Sequence, residues 1–204
     1  MSHTVGIRQA QKQKTRQALM DAALALLEEQ SLSSLGLREV TRAVGVAPTA
    51  FYRHFRDTAD LGVALVEEAL GSLHALIREA LAETGDDVRI ERTVALIADL
   101  VRTSPAHVRF VAREQHGGVQ PVREAIRAQL RLFGDEVAAA FAGEPETRGW
   151  SEEDLRMLAG VYVDHMVMTA SAFLEAGPEG EERVSSVARR QLRLVSLGRR
   201  HWLD

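Results

Sequence analysis

The residues best suited to chemistry lie in one short run, Pro48-Thr49-Ala50-Phe51-Tyr52-Arg53-His54-Phe55. At 100° per residue, Phe51 and Phe55 fall on one side of a short helix and Thr49 and Arg53 on the other, with Ala50 and Tyr52 flanking them. The outward face is therefore small, hydroxylic and cationic. Such a helix can enter the major groove of DNA, roughly 12 Å wide. There Arg53 could fork onto guanine O6 and N7, and Thr49 and Tyr52 suit a phosphate or a thymine methyl. Pro48 sets the start of the helix, whose free N–H groups favour a phosphate. His54 falls between the two faces, so a packed histidine and a phosphate contact both stay open. The competing reading is an ordinary helical hairpin with a solvated polar face, since short helix pairs are common.

Two elements must hold that face in place. The segment 37–44 reads as a helix, and Gly45 allows a sharp turn into the second helix at 48–55 because glycine adopts positive φ without steric cost. Val40, Val44 and Val46 would pack the inner angle of a helix-turn-helix. Upstream, a helix over 11–30 carries the apolar stripe Ala18, Leu19, Ala22, Ala23, Leu26 and Leu27. The first eleven residues are polar and read as mobile. Asp57, with Asp60 three residues on, caps a helix over 57–83.

Helical periodicity continues to the end of the chain, with no convincing strand and no internal repeat. Further helices are expected over 88–103, from the Ser104-Pro105 start to His116-Gly117-Gly118, over 121–142, from Ser151 with Asp154 to 175, and over 181–202. Gly177-Pro178 separates the last two. The fold class is thus all-α, about nine helices. It divides into a helix-turn-helix head at 1–56 and a helical bundle at 57–204.

Charge supports that division. Residues 1–56 carry eight basic and four acidic side chains, a net +4, while the rest of the chain carries −8 within the overall −4. A basic head on an acidic body implies that only the head meets polyanions. Cysteine is absent, so a disulfide, a thiolate metal site and a cysteine nucleophile are excluded. No basic-then-apolar leader opens the chain, and no apolar run approaches the ~20 residues of a membrane span. The expected location is the cytoplasm. There is no HExxH, no glycine-rich phosphate loop after a strand and no GxSxG elbow. The seven histidines are scattered without metal-ligand spacing. No catalytic residue, metal or cofactor is expected.

Residues 11–61 resemble the DNA-binding head of the TetR family, whose signature ends in a Tyr-x-His-Phe-like run, here Phe51-Tyr52-Arg53-His54-Phe55. The run Leu37-Arg38-Glu39-Val40, Ala47-Pro48-Thr49 and Phe51 to Asp57, followed by Arg113-Glu114, resembles the FabR/DesT subgroup, repressors of unsaturated fatty-acid genes. The resemblance implies a dimeric repressor of a palindromic double-stranded operator, with long-chain acyl-CoA as effector. It implies DNA contacts at Arg38, Thr49, Tyr52, Arg53 and His54; the residues themselves add Pro48 and Ala50 on the outward helix and the cations Lys14 and Arg16 as further candidate contacts. Two positions depart from the family pattern. Gly36 replaces the usual hydroxyl cap, and Thr58 stands where many members carry lysine.

The body offers more apolar positions than one helix seam needs. Leu73, Ile77, Leu96, Leu100, Phe110, Val111, Leu130, Phe133, Val161, Met166 and Phe173 are candidate walls of a ligand tunnel, as is Leu65, although each can equally be plain core. Met157, Met166 and Met168 would let such a pocket adapt. The phosphates of an acyl-CoA need cations at the tunnel mouth. Arg109, Arg113, Arg123 and Arg127 are candidates, with solvated helix charge as the alternative; Arg113 is the one placed in the site. The last helix lines up Val184, Val187, Gln191, Val195, Gly198 and Trp202. The helix before it lines up Leu158, Tyr162, His165, Thr169 and Ala172. Together they are expected to form a homodimer through the last two helices, unless these stripes only close the monomer core. Another apolar small molecule or drug as effector is the alternative reading.

Overall fold

The computed structural model describes residues 2–203, with side chains from Gln9 onward. Among the described residues there are nine α-helices, one short 3-10 helix and no strand. The head is α1 (Ser2–Leu26), α2 (Leu37–Val44) and α3 (Pro48–Phe51); the body is α4 (Thr58–Gly71), α5 (Leu73–Leu81), α6 (Asp86–Thr103), α7 (Pro105–Glu114), α8 (Gln120–Ala142) and α9 (Glu152–Arg200).

Four boundaries differ from the sequence expectation, each for a local reason. Helix α1 begins at Ser2 and takes in the segment expected to be mobile; its Gln, Lys and Ala residues are good helix formers. Helix α3 closes after Phe51, and 52–54 continue as turns held by the carbonyls of Ala50 and Phe51. The helix expected over 57–83 is divided at Ser72 into α4 and α5, where a Gly71-Ser72 pair weakens the helical ladder. The last two helices join as α9, interrupted at Gly177 (φ 62°, ψ −172°) ahead of Pro178. Glycine takes this left-handed φ at no steric cost, and proline removes the next donor. Helix α9 is also long and apolar enough to cross a membrane by length and composition, contrary to expectation. It instead packs along α6 and α8.

One core unites head and body. Leu19, Ala23, Val40, Phe51 and Phe55 of the head pack with Leu61 and Leu65 of α4, Phe110 of α7 and Ile126 and Phe133 of α8. The boundary expected at 56/57 therefore falls in a turn within one continuous core and not in a gap between cores. A second cluster joins α6 to α9 through Ile90, Val94, Ile97, Phe173, Ala188 and Leu192. A third joins α8 to α9 through Val137, Phe141, Leu158 and Ala159.

Candidate nucleic-acid face and internal cavity

The helix-turn-helix forms as its residues require. Gly45 takes φ 72° and ψ 29°, and its N–H reaches back to close α2. The N–H of Gly36 donates to Glu39 Oε2 at 3.0 Å, so α2 begins without a side-chain hydroxyl cap. Phe51 and Phe55 are fully buried, their rings 5.5 Å apart. That anchors α3 by one face and turns the other outward. Asp57 Oδ1 accepts from the Asp60 N–H at 2.7 Å, and Asp60 accepts from the Arg56 N–H at 3.0 Å, so the exit from the turn is clamped from both ends.

On the outward face, Pro48, Thr49 and Arg53 are exposed, Tyr52 is 62% exposed and Ala50 is half-buried. Arg38 and Lys14 are also exposed. Arg16 is different. Its guanidinium lies 4.9 Å above the Phe55 ring and donates to Met20 Sδ, so it holds α1 against the turn. His54 is half-buried, with Nδ1 enclosed and unpartnered. Its pKa is lowered from 6.5, first by burial and then by Lys12, Arg16 and Arg53. Among the described residues, the arrangement presents cations and hydroxyls with no acceptor opposite them on α3. That suits a polyanion.

The body contains an almost wholly apolar cavity of about 90 Å³ between α4, α5, α6, α7, α8 and α9. Its wall includes Leu73, Ile77, Leu96, Leu100, Val111, Leu130, Phe133 and Met166, all named from the sequence. Sequence reasoning missed Ala69, Leu70, His107, Val108 and Val163, which also line it; only the tertiary packing selects them from other apolar positions. A smaller cavity of about 40 Å³ shares Ile77, Leu96 and Met166 with it and ends at Arg89, Tyr162 and Asp86.

Five residues expected at the ligand site lie elsewhere, beginning with Leu65, which is buried in the core shared by head and body. Phe110 is 2% exposed within the head–body core, and Phe173 belongs to the α6–α9 cluster. Val161 is 42% exposed on the outside of α9. Arg113 is already engaged: it donates to the carbonyls of Leu27 (2.6 Å), Gln30 (2.7 Å) and Glu28 (3.2 Å). A guanidinium is well placed there, because these are orphan acceptors at the negative end of a helix. Next to it, Glu114 is 1% exposed and accepts from the Leu32 N–H at 2.9 Å. Arg113 and Glu114 thus latch the head to α7. Of the other arginines considered for phosphate binding, Arg109 pairs with Glu28 and Arg123 with the Gly117 carbonyl. Met157 and Met168 are exposed on α9, away from the cavity; only Met166 lines it.

The terminal stripes are also redistributed. Val184, Leu158 and Thr169 are buried inside the protomer. The exposed apolar side chains of α9 are Met157, Val161, Met168, Val187, Leu194 and Leu197. Where α9 ends, Arg199 is 2% exposed between Asp86 and Glu144 and lies above the Phe141 ring. Burial pushes the Asp86 carboxyl up, but Ser196, Arg199 and Arg200 more than offset it and hold it below the usual carboxylate range.

Comparison with known proteins agrees with this arrangement. Residues 19–65 match the family described as bacterial regulatory proteins, tetR family. Among solved structures, the fold is similar to the transcriptional regulator FadR from Bacillus subtilis in complex with stearoyl-CoA, with TM-score 0.70 and 14% identity over 88% of this chain and 96% of that one. It is also similar to NalD, the secondary repressor of the MexAB-OprM multidrug efflux pump in Pseudomonas aeruginosa, with TM-score 0.66 and 20% identity over 89% and 96%. The SmeT–triclosan complex is a further match, with TM-score 0.69 and 16% identity over 88% and 90%.

Proposed function

We propose that this chain, a TetR-family transcriptional regulator, is a repressor that binds a palindromic operator as a homodimer and is controlled by a long apolar effector, an acyl-CoA, held in its body. The observation that carries this reading is the apolar cavity lying under the core that seats the helix-turn-helix. The FadR fold matched above holds stearoyl-CoA, which supports an acyl chain as occupant. Neither a catalytic constellation nor turnover enters the proposal.

The mechanism is a shift between head spacings. Two recognition helices in a C₂ dimer must stand about 34–36 Å apart to meet successive major grooves. An effector alters DNA affinity only by binding one spacing better than another. The cavity, about 90 Å³, is far below the ~300 Å³ or more of an ordinary ligand site. A long chain must therefore part the helices. Helix α4 is the element most exposed to that displacement, because Ala69 and Leu70 line the cavity while Leu61 and Leu65 hold the head. Kinked unsaturated chains would favour the DNA-binding spacing and straight saturated chains the released one. Arg127, exposed and with no partner among the described residues, is the remaining candidate for the CoA phosphates. The exposed apolar side chains of α9 supply the dimer face.

The test is an operator titration at fixed salt, in excess competitor DNA, with no effector, with oleoyl-CoA and with palmitoyl-CoA. Opposite shifts by the two acyl-CoAs are expected. Specific binding indifferent to both would end the acyl-CoA reading and leave the repressor. A drug-like effector is the second reading, favoured by the triclosan held in the SmeT fold and by Phe133 in the cavity wall.

A further inference from the structure

The polar side chains that border the two internal cavities are already committed. His107 Nε2 lies 3.3 Å from Glu68 Oε2 on α4, and Glu68 Oε1 accepts from Gln17 Nε2 on α1 at 2.7 Å. Ser171 donates to the Val167 carbonyl at 3.2 Å. At the far end of the smaller cavity, Asp86 pairs with Arg199 at 2.6 Å and Arg89 with Glu144 at 2.5 Å. The lining therefore offers no unpaired cation, and an apolar chain seated there has to leave an anionic headgroup outside.

The wall between α8 and α9 gives onto such a place. Leu130 and Val163 line the larger cavity, and the same two residues line an open groove of about 640 Å³ on the outer surface. A single layer of side chains thus separates the two spaces. Leu130 is half-buried and Val163 is buried; both are apolar, so parting them breaks no side-chain hydrogen bond or ion pair. The groove carries Arg127 and Arg131, one turn apart on α8, and Arg156 on α9. Arg156 is paired with Glu152. Arg127 and Arg131 are exposed and have no partner among the described residues; Asp135 and Asp164, which also line the groove, pair with neither. At Gly134 and Gly160, both in the groove, an added Cβ would meet nothing within 4 Å.

We infer, on the reading of the cavity as the effector site, that the effector passes between α8 and α9 at Leu130 and Val163 and leaves a phosphorylated headgroup on Arg127 and Arg131 in the outer groove. A guanidinium binds phosphate through paired, charge-assisted hydrogen bonds. Two of them one helical turn apart, with Cβ atoms about 5–6 Å from each other, suit a headgroup that carries more than one phosphate. A neutral ester with the same tail has nothing to place there and stays within the cavity.

The experiment titrates decanoyl-CoA and methyl decanoate, which share a tail, calorimetrically into the full-length protein, each below its aggregation limit. The double variant Arg127→Ala, Arg131→Ala is expected to weaken decanoyl-CoA about tenfold, more at low salt than at high, and to leave methyl decanoate unchanged. Gly134→Trp fills the groove from a position with room for a side chain; it should also weaken decanoyl-CoA and spare the ester. Cooperative thermal melting establishes that each variant is folded. Decanoyl-CoA affinity undiminished in either variant, or an ester affinity that falls in parallel, would overturn the portal and its headgroup seat while leaving the cavity as an effector site. Loss of dimers in Gly134→Trp by sedimentation would assign the groove to a second copy of the chain and overturn the headgroup seat. Binding of neither probe to wild type would overturn both the portal and the effector site.

Discussion

Arg53 and His54 are adjacent residues with opposite fates. Arg53 is exposed on the outward face, so Arg53→Ala should cost operator affinity by about 1–3 kcal/mol and relax specificity if the guanidinium reads a base. An equal loss on every DNA sequence would make it a phosphate contact, and competition binding against scrambled operators separates the two. His54 is half enclosed, and burial, then Lys12, Arg16 and Arg53, depress its pKa. In a folded chain it therefore takes up its proton at lower pH than in an unfolded one. Between those two values the unfolded state binds more protons, so stability rises with pH. The contribution is complete above about 6.5, the unfolded value, and is lost as pH falls from there through the folded value. Imidazole chemical shifts followed by NMR should show His54 titrating below 6.5. A midpoint at or above 6.5 would contradict its enclosure.

At the scale of elements, the turn after α2 and the latch onto α7 decide how rigidly α3 is carried. Gly45 sits at φ 72° with open space where a side chain would project. Gly45→Ala should therefore cost about 1–2 kcal/mol by conformation alone, without a clash, as a lowered denaturation midpoint. Arg113 is a candidate for the acyl-CoA phosphates in sequence and holds the carbonyls beyond the end of α1 in the structure. Arg113→Met is expected to lower stability by about 1–3 kcal/mol, since three carbonyls lose a charged donor. It should leave the acyl-CoA affinity of the folded protein unchanged; a fall in that affinity at undiminished stability would restore the phosphate role. Gln17 links the Glu68 carboxylate to α1. Gln17→Leu should weaken the effect of an acyl-CoA on operator affinity more than it weakens acyl-CoA binding, which a thermodynamic cycle over both ligands measures.

For the whole molecule, the exposed apolar side chains of α9 matter most. Leu194 is 71% and Met168 71% exposed, an arrangement that a monomer in water does not need and a helix-pair interface does. Leu194→Lys should give a monomer by sedimentation and reduce operator affinity steeply, because one head then engages one half-site. A dimer that survives unchanged would move the interface away from this face. Under the proposed function, protomer pairing and effector control would be coupled. The helix whose exposed apolar side chains would form the dimer face also lines the cavity with Val163, Met166 and Val167, so a ligand that displaced this wall would act on head spacing through both α4 and α9.

Much of the design was legible in the residues themselves. Helix formers, caps and the breaks at Gly45 and Gly177-Pro178 act over a few residues, so local chemistry determined the all-helical plan and the outward face of Thr49, Tyr52 and Arg53. The apolar spacing of α5 and α6 likewise marked Leu73, Ile77, Leu96 and Leu100 as inward. Where α8 and α9 settle against them was a matter for the tertiary structure alone. A helix buries more than one stripe when it is packed on two sides, and periodicity does not say which stripe meets a neighbour, a cavity or solvent. That is why Phe110 and Phe173 became core, Val161 turned outward, and Val184 closed the protomer. Arg113 and His107 show the same limit for polar groups. A long cationic side chain and a lone histidine acquire their roles from acceptors far away in sequence, at the end of α1 and on α4, and only folding brings those acceptors within hydrogen-bond reach.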